Sequence, residues 1–113
     1  MLNQIVIVGR LVSKPKLKEN EMGHKYSNFT IAVPRSFKNQ DGVYETDFID
    51  VTTFNNIAEQ TTNWIDKGDL IGIRGRLQTS TYEDKDGNKR KTTDVIAEKV
   101  TFLSSKKEEK KEG

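Results

Sequence analysis

Four aromatic residues, Phe37, Phe48, Phe54 and Tyr82, lie outside the aliphatic stripes of this 113-residue chain, and basic residues accompany Phe37 and Tyr82. Arg35 and Lys38 flank Phe37, Arg74 and Arg76 precede Tyr82, and Lys89 and Arg90 follow it across a charged loop. Flat π faces stack on flat partners, while Lys and Arg hold anions. The residue types that catalyse are nearly missing. The only histidine, His24, sits in a polar stretch after Gly23, without the converging partners that acid–base or metal chemistry needs. There is no cysteine, which removes disulfides, thiolate metal sites and thiol nucleophiles together. Asp and Glu are plentiful but lack metal-ligand spacing, and Asp47 and Asp50 fall on opposite faces of one strand. The expectation is a binding protein with no catalytic residue, no metal and no cofactor.

Strand alternation is what must position the aromatics. Ile49, Val51 and Thr53 share one face, and Phe48, Asp50, Thr52 and Phe54 share the other. The aliphatic face belongs to the core. Both phenylalanines therefore point away from it, six residues or roughly 20 Å apart at ~3.3 Å per residue. Exposed rings of this kind suit a flat ligand; a helix or second subunit packed on them would give the same pattern.

The rest of the chain supplies a frame for that strand. Residues 3–13 read as a buried strand with Gly9 as a bend or bulge, residues 14–25 as a connection, and 26–35 as a second strand with Pro34 at its end. A hairpin tip at 38–42 leads into the third strand, 43–54. In 55–67 the residues Ile57, Ala58, Thr61, Trp64 and Ile65 recur at helical spacing, with Asn55 or Asn56 as cap and Gly68 just beyond the end. A helix that short must bury its apolar face, which predicts Trp64 as a core plug. In the fourth strand, 69–81, Ile71, Ile73, Gly75 and Leu77 oppose Arg74, Arg76, Gln78, Ser80 and then Tyr82, provided no bulge intervenes. A charged hairpin loop at 83–91 and a fifth strand at 92–103 complete the pattern. Five strands with one helix between the third and fourth predict an all-β domain with one helix, an OB-fold built as a five-stranded Greek-key barrel. The expected domain spans 1–103, with 104–113 a short charged disordered tail.

Composition narrows the partner. With 33% apolar and 32% charged residues, the chain has a thin core but clear periodicity, enough for one domain. No basic leader or membrane-length apolar run is present, so a cytoplasmic protein is expected. A net charge of +2 is too small to argue for nucleic acid by itself. The placement of the cations beside outward aromatics makes the case instead. Such a surface suits single-stranded nucleic acid, with bases stacked on rings and phosphates tracked by cations. Duplex DNA fits poorly, because no basic helix is available to enter a groove. Stacking tolerates either sugar, which leaves DNA and RNA both open, and a protein-interaction adaptor built on the same fold is a further alternative.

Taken together, residues 3–11, 29–33 with Arg35-Ser36-Phe37, 46–49, the Lys67-Gly68 helix end, and 75–79 with Tyr82 resemble the bacterial single-stranded DNA-binding proteins across residues 1–103. The resemblance implies an OB-fold subunit, usually a homotetramer, that coats and protects single-stranded DNA. It places the family's four stacking positions on Phe37, Phe48, Phe54 and Tyr82. Many relatives carry Trp at several of these, so weaker stacking per base and more reliance on Lys and Arg are expected here. Longer relatives end in an acidic tip that recruits replication and repair enzymes. The stretch 106–113 is mixed in charge, which argues against recruitment by that route and points to a competence-type, accessory or mobile-element version.

Overall fold

Period-two alternation in the sequence becomes a closed barrel in the computed structural model, which describes residues 1–105. The elements in order are β1 (Ile5–Leu11), β2 (Lys18–Glu19), β3 (Lys25–Lys38), β4 (Tyr44–Phe54), α1 (Asn55–Trp64), β5 (Leu70–Glu83) and β6 (Lys89–Ser104). The sheet runs β1-β5-β6-β4-β3-β2, and a β1–β3 pairing closes it. β4 and β6 run parallel, at Val51↔Val95 and Thr52↔Ile96, and the other pairings are antiparallel. Five long strands with one helix between β4 and β5 make the OB-fold that the sequence predicts. β2 is a two-residue addition to the edge of β3, inside the stretch read as a connection. Ser104 still belongs to β6, so the barrel takes the first residue of the expected tail. The remainder of that tail beyond residue 105 lies outside the described residues.

The core is the aliphatic face of each strand: Ile7, Leu11, Phe29, Ile31, Val51, Ile71, Ile73, Val95 and Ala97, joined by Ile65 after the helix. Each large side chain buried this way contributes about 1.5–3 kcal/mol. After Gly9, β1 gains β3 as a second neighbour at Arg10↔Ala32 while still paired with β5 at Arg10↔Leu70. A Cβ on Gly9 would lie 2.7 Å from the Ala32 carbonyl oxygen, so only glycine permits this approach. The β5–β6 ladder shifts register twice, and both extra residues, Glu98 and Leu103, fall on β6. β5 therefore keeps its alternation, and the condition on Arg74, Arg76, Gln78, Ser80 and Tyr82 is met. Pro34 makes the last regular β3–β4 pair before an irregularity that extends to Lys38.

The helix differs from expectation at both ends. It stops at Trp64, and Gly68 lies in the following turn at φ 88°. The N-cap is Phe54 with no side-chain cap bond, and Asn55 adopts a left-handed φ of 54°, a conformation asparagine tolerates. Trp64 is 79% exposed and does not plug the core. Ala58 and Thr61 define the buried stripe, and at 3.6 residues per turn Trp64 lies roughly 90° round from its midline. Ile65, just past the helix, takes the buried place instead. Glu59 pairs with Lys25 of β3 and ties the helix to the barrel; that hydrogen bond holds the Lys25 ammonium above its usual pKa.

Candidate nucleic-acid interface

The aromatics sit on the outer face of the sheet because the inner face is filled. On β4, Val51 and Thr53 are fully buried, and Phe48 and Phe54 on the opposite face are 67% and 44% exposed. Phe37, past the irregularity in β3, is 64% exposed, and Tyr82 on β5 is 51% exposed. Between the two β4 rings the face is polar and braced. Thr30 Oγ1 donates to Asp50 Oδ1 at 2.7 Å, and Thr52 Oγ1 donates to Asn28 Oδ1 at 2.9 Å. Each bond joins directly opposite residues of β3 and β4. The parallel pairing sets Ile96 beside Thr52, and the β5–β6 ladder sets Arg76 beside Ile96 and Gln78 beside Asp94. One surface thus runs across β3, β4, β6 and β5.

The expected cations divide into two groups. The Arg35 guanidinium is already occupied: Nη2 lies 2.9 Å from Asp47 Oδ1, and Nη1 lies 2.7 Å from Glu45 Oε2. The Asp47 hydrogen bond raises the Arg35 pKa, and the same bond holds the Asp47 carboxyl below its usual range. Arg90 Nε pairs with Asp84 Oδ2 at 2.9 Å. That bond, with backbone N–H groups of Asn88 and Asp86, holds the Asp84 carboxyl low. Lys38 Nζ stands 5.6 Å from the centroid of the Tyr44 ring, a cation–π contact that orders it beside Phe37. Arg74, Arg76 and Lys89 make no ion pair among the described residues, which leaves their charge available to phosphate.

Two further aromatics belong to this surface. Tyr44 is exposed and opposite Lys38, and Tyr26 is directly opposite Phe54. Both have a sequence signal. Tyr26 has the same parity as Asn28 and Thr30, so the alternation that sends those outward sends the ring with them. Tyr44 shares the parity of Phe48. Trp64 does not join the track; it lines a separate groove with Ile57, Gln60 and Phe102, between α1 and β6.

Comparison with known proteins agrees with this geometry. The model of the single-strand binding protein family matches residues 2–103. "Single-stranded DNA-binding protein 1" of Clostridium acetobutylicum is 44% identical over 108 residues, covering 95% of this chain and 98% of that protein. "Single-stranded DNA-binding protein 2" of Staphylococcus aureus is 46% identical over 106 residues, 94% of this chain and 75% of its own length. "Single-stranded DNA-binding protein 2" of Listeria monocytogenes is 43% identical over 106 residues, 94% of this chain and 66% of its own length.

Proposed function

The chain belongs to the single-strand binding protein family, and from that premise we propose that it binds single-stranded DNA without sequence specificity, coating and protecting it during replication, recombination, repair or uptake. The observation that carries this reading is the set of four exposed aromatics, Phe37, Phe48, Phe54 and Tyr82, on strands whose opposite face is the core. Bases stack on these rings at about 1–3 kcal/mol each, and every base offers a π face, so stacking carries no sequence requirement. Arg74, Arg76, Lys38 and Lys89 track phosphates, joined by Arg35 and Arg90 once DNA competes for their carboxylate partners. The protein is a binder rather than an enzyme. The binding unit is residues 1–103.

Titration with oligo-dT should give binding that weakens as salt rises, because each neutralised phosphate releases counterions. Duplex DNA of the same length should bind far less. Equal affinity for the two, or no binding to oligo-dT at low salt, overturns the proposal. Competition with oligo-U decides whether the sugar matters.

The subunit assembles as a homotetramer in this proposal. Val6, Val8 and Leu103 are exposed apolar residues, and the side chains of Val8 and Leu103 both flank Gly72. Residues 5–9 of β1 pair only with β5 among the described residues, which leaves a strand edge open beside these side chains. Mass measurement in solution, with and without long oligo-dT, tests the stoichiometry; a monomer in both conditions overturns it. No helix among the described residues is long and apolar enough to cross a membrane. The place of action that fits the ligand is the cytoplasm, at the nucleoid.

A further inference from the structure

The outer sheet face carries carboxylates where a polyanion is to lie. Asp50 is engaged by the Thr30 hydroxyl. Asp94 has only a long contact from Thr92 Oγ1, 3.5 Å to Oδ2, and its Oδ1 takes no hydrogen bond among the described residues. Asp94 lines a cleft of about 360 Å³ with Tyr26, Phe54, Asn28, Thr52 and Gln78. Tyr26 and Phe54 are cross-strand partners, which brings both rings to the lining of the cleft. Thr52 donates to Asn28 Oδ1, which leaves the Asn28 amide nitrogen as a donor. Beside phosphates a carboxylate only repels. Beside base edges it accepts hydrogen bonds.

We propose that this cleft is a base-reading subsite within the single-strand surface, an inference that rests on the DNA-binding reading above. A base stacks on Tyr26 and Phe54, gives an exocyclic amine proton to Asp94, and takes a hydrogen bond on its ring nitrogen from Asn28 or Gln78. The ligand class is a base with an exocyclic amine beside a ring acceptor, which cytosine, adenine and guanine carry and thymine lacks; aspartate accepting from the cytosine amine is a known pairing. Thymine offers one ring N–H between two carbonyls, and those carbonyls repel the carboxylate. The protein therefore tolerates all sequences but weights them at this position.

The test compares wild type and Asp94→Ala, which has no side-chain acceptor, on oligo-dC and oligo-dT of equal length at one salt concentration, with an oligomer of N4,N4-dimethylcytosine as a third probe. The dC-to-dT affinity ratio should fall about threefold to tenfold in the variant, the size of one hydrogen bond at a partly exposed site. Dimethylation should weaken binding by wild type and leave the variant little changed. If Asp94→Ala raises affinity for every oligomer equally, the aspartate only repels phosphate and the subsite is overturned. Equal weakening of both proteins by dimethylation overturns it as well. If wild type binds neither dC nor dT, the DNA-binding reading itself has failed, and the subsite falls with it.

Discussion

Hairpins β3–β4 and β5–β6 turn by the same chemistry and carry different loads. In the first, Asn39 Oδ1 accepts from the N–H groups of Asp41 and Val43, and Gly42 takes φ 77°. In the second, Asp84 Oδ1 accepts from Asp86 and Asn88, and Gly87 takes φ 81°. Each turn needs a glycine at positive φ and a side-chain acceptor that stands in for a carbonyl. Along the arms the resemblance ends. β3–β4 presents Phe37, Phe48 and Phe54, with Tyr26 and Tyr44, and its arginine is tied to two carboxylates. β5–β6 presents Tyr82, with its other exposed ring, Phe102, turned to the groove beside α1, and carries the untied cations Arg74, Arg76 and Lys89. In the binding mode proposed above, the division is between a stacking hairpin and a phosphate hairpin, with a strand bound across both using each for a different part of the nucleotide.

Removing rings from the first hairpin should break the comparison most visibly. Phe48→Ala and Phe54→Ala should each cost about 1–3 kcal/mol of oligo-dT affinity, with the slope of affinity against salt little changed. Removing charge from the second hairpin should do the reverse. Arg74→Ala with Arg76→Ala should lower affinity less but flatten the salt slope by about 1.4, at about 0.7 per phosphate contact on single strands. If the phenylalanine variants change the slope and the arginine variants do not, the division of labour is wrong.

A smaller change should move the first hairpin toward the second. Asp47→Asn releases part of the hold on Arg35, so DNA affinity should rise a few-fold and the salt slope should steepen. The same variant reports on acid stability. The Asp47 carboxyl is held low by Arg35, so its contribution to stability is present above the unfolded-state pKa of about 3.9. That contribution is lost as pH falls through the lower folded value. The thermal midpoint of wild type should exceed that of Asp47→Asn slightly at neutral pH, and the gap should close in strong acid. A gap that persists at low pH would mean the pair does not account for it. The effect is small because both partners are solvent-exposed.

The sequence made the outward-facing aromatics legible wherever one strand face was plainly aliphatic. Ile49, Val51 and Thr53 leave Phe48 and Phe54 only one direction to point, since a slip of one residue would exchange the faces. Arg35 was a different matter. Its partners Asp47 and Glu45 lie across the hairpin, so its neutralised state depends on register and not on local pattern. Trp64 failed for a geometric reason: helical spacing admits a residue to the apolar stripe, but a ten-residue helix buries only part of that stripe. β2 was invisible because two residues carry no period, and Tyr26 gained its meaning only from the ring placed opposite it.

The parallel seam between β4 and β6 joins the two hairpins through only Val51↔Val95 and Thr52↔Ile96. That seam runs beneath the middle of the binding face, with Thr52 and Ile96 lining the cleft itself. A strand of DNA held in the proposed cleft, from Phe54 toward Gln78, would cross it like a stitch. Ligand binding and the pairing of this seam are then coupled: what favours the bound strand also favours the paired seam. Backbone amides at Val95 and Ile96 should exchange with solvent more slowly once oligo-dT is bound, and more so than amides in the ladder between β1 and β5.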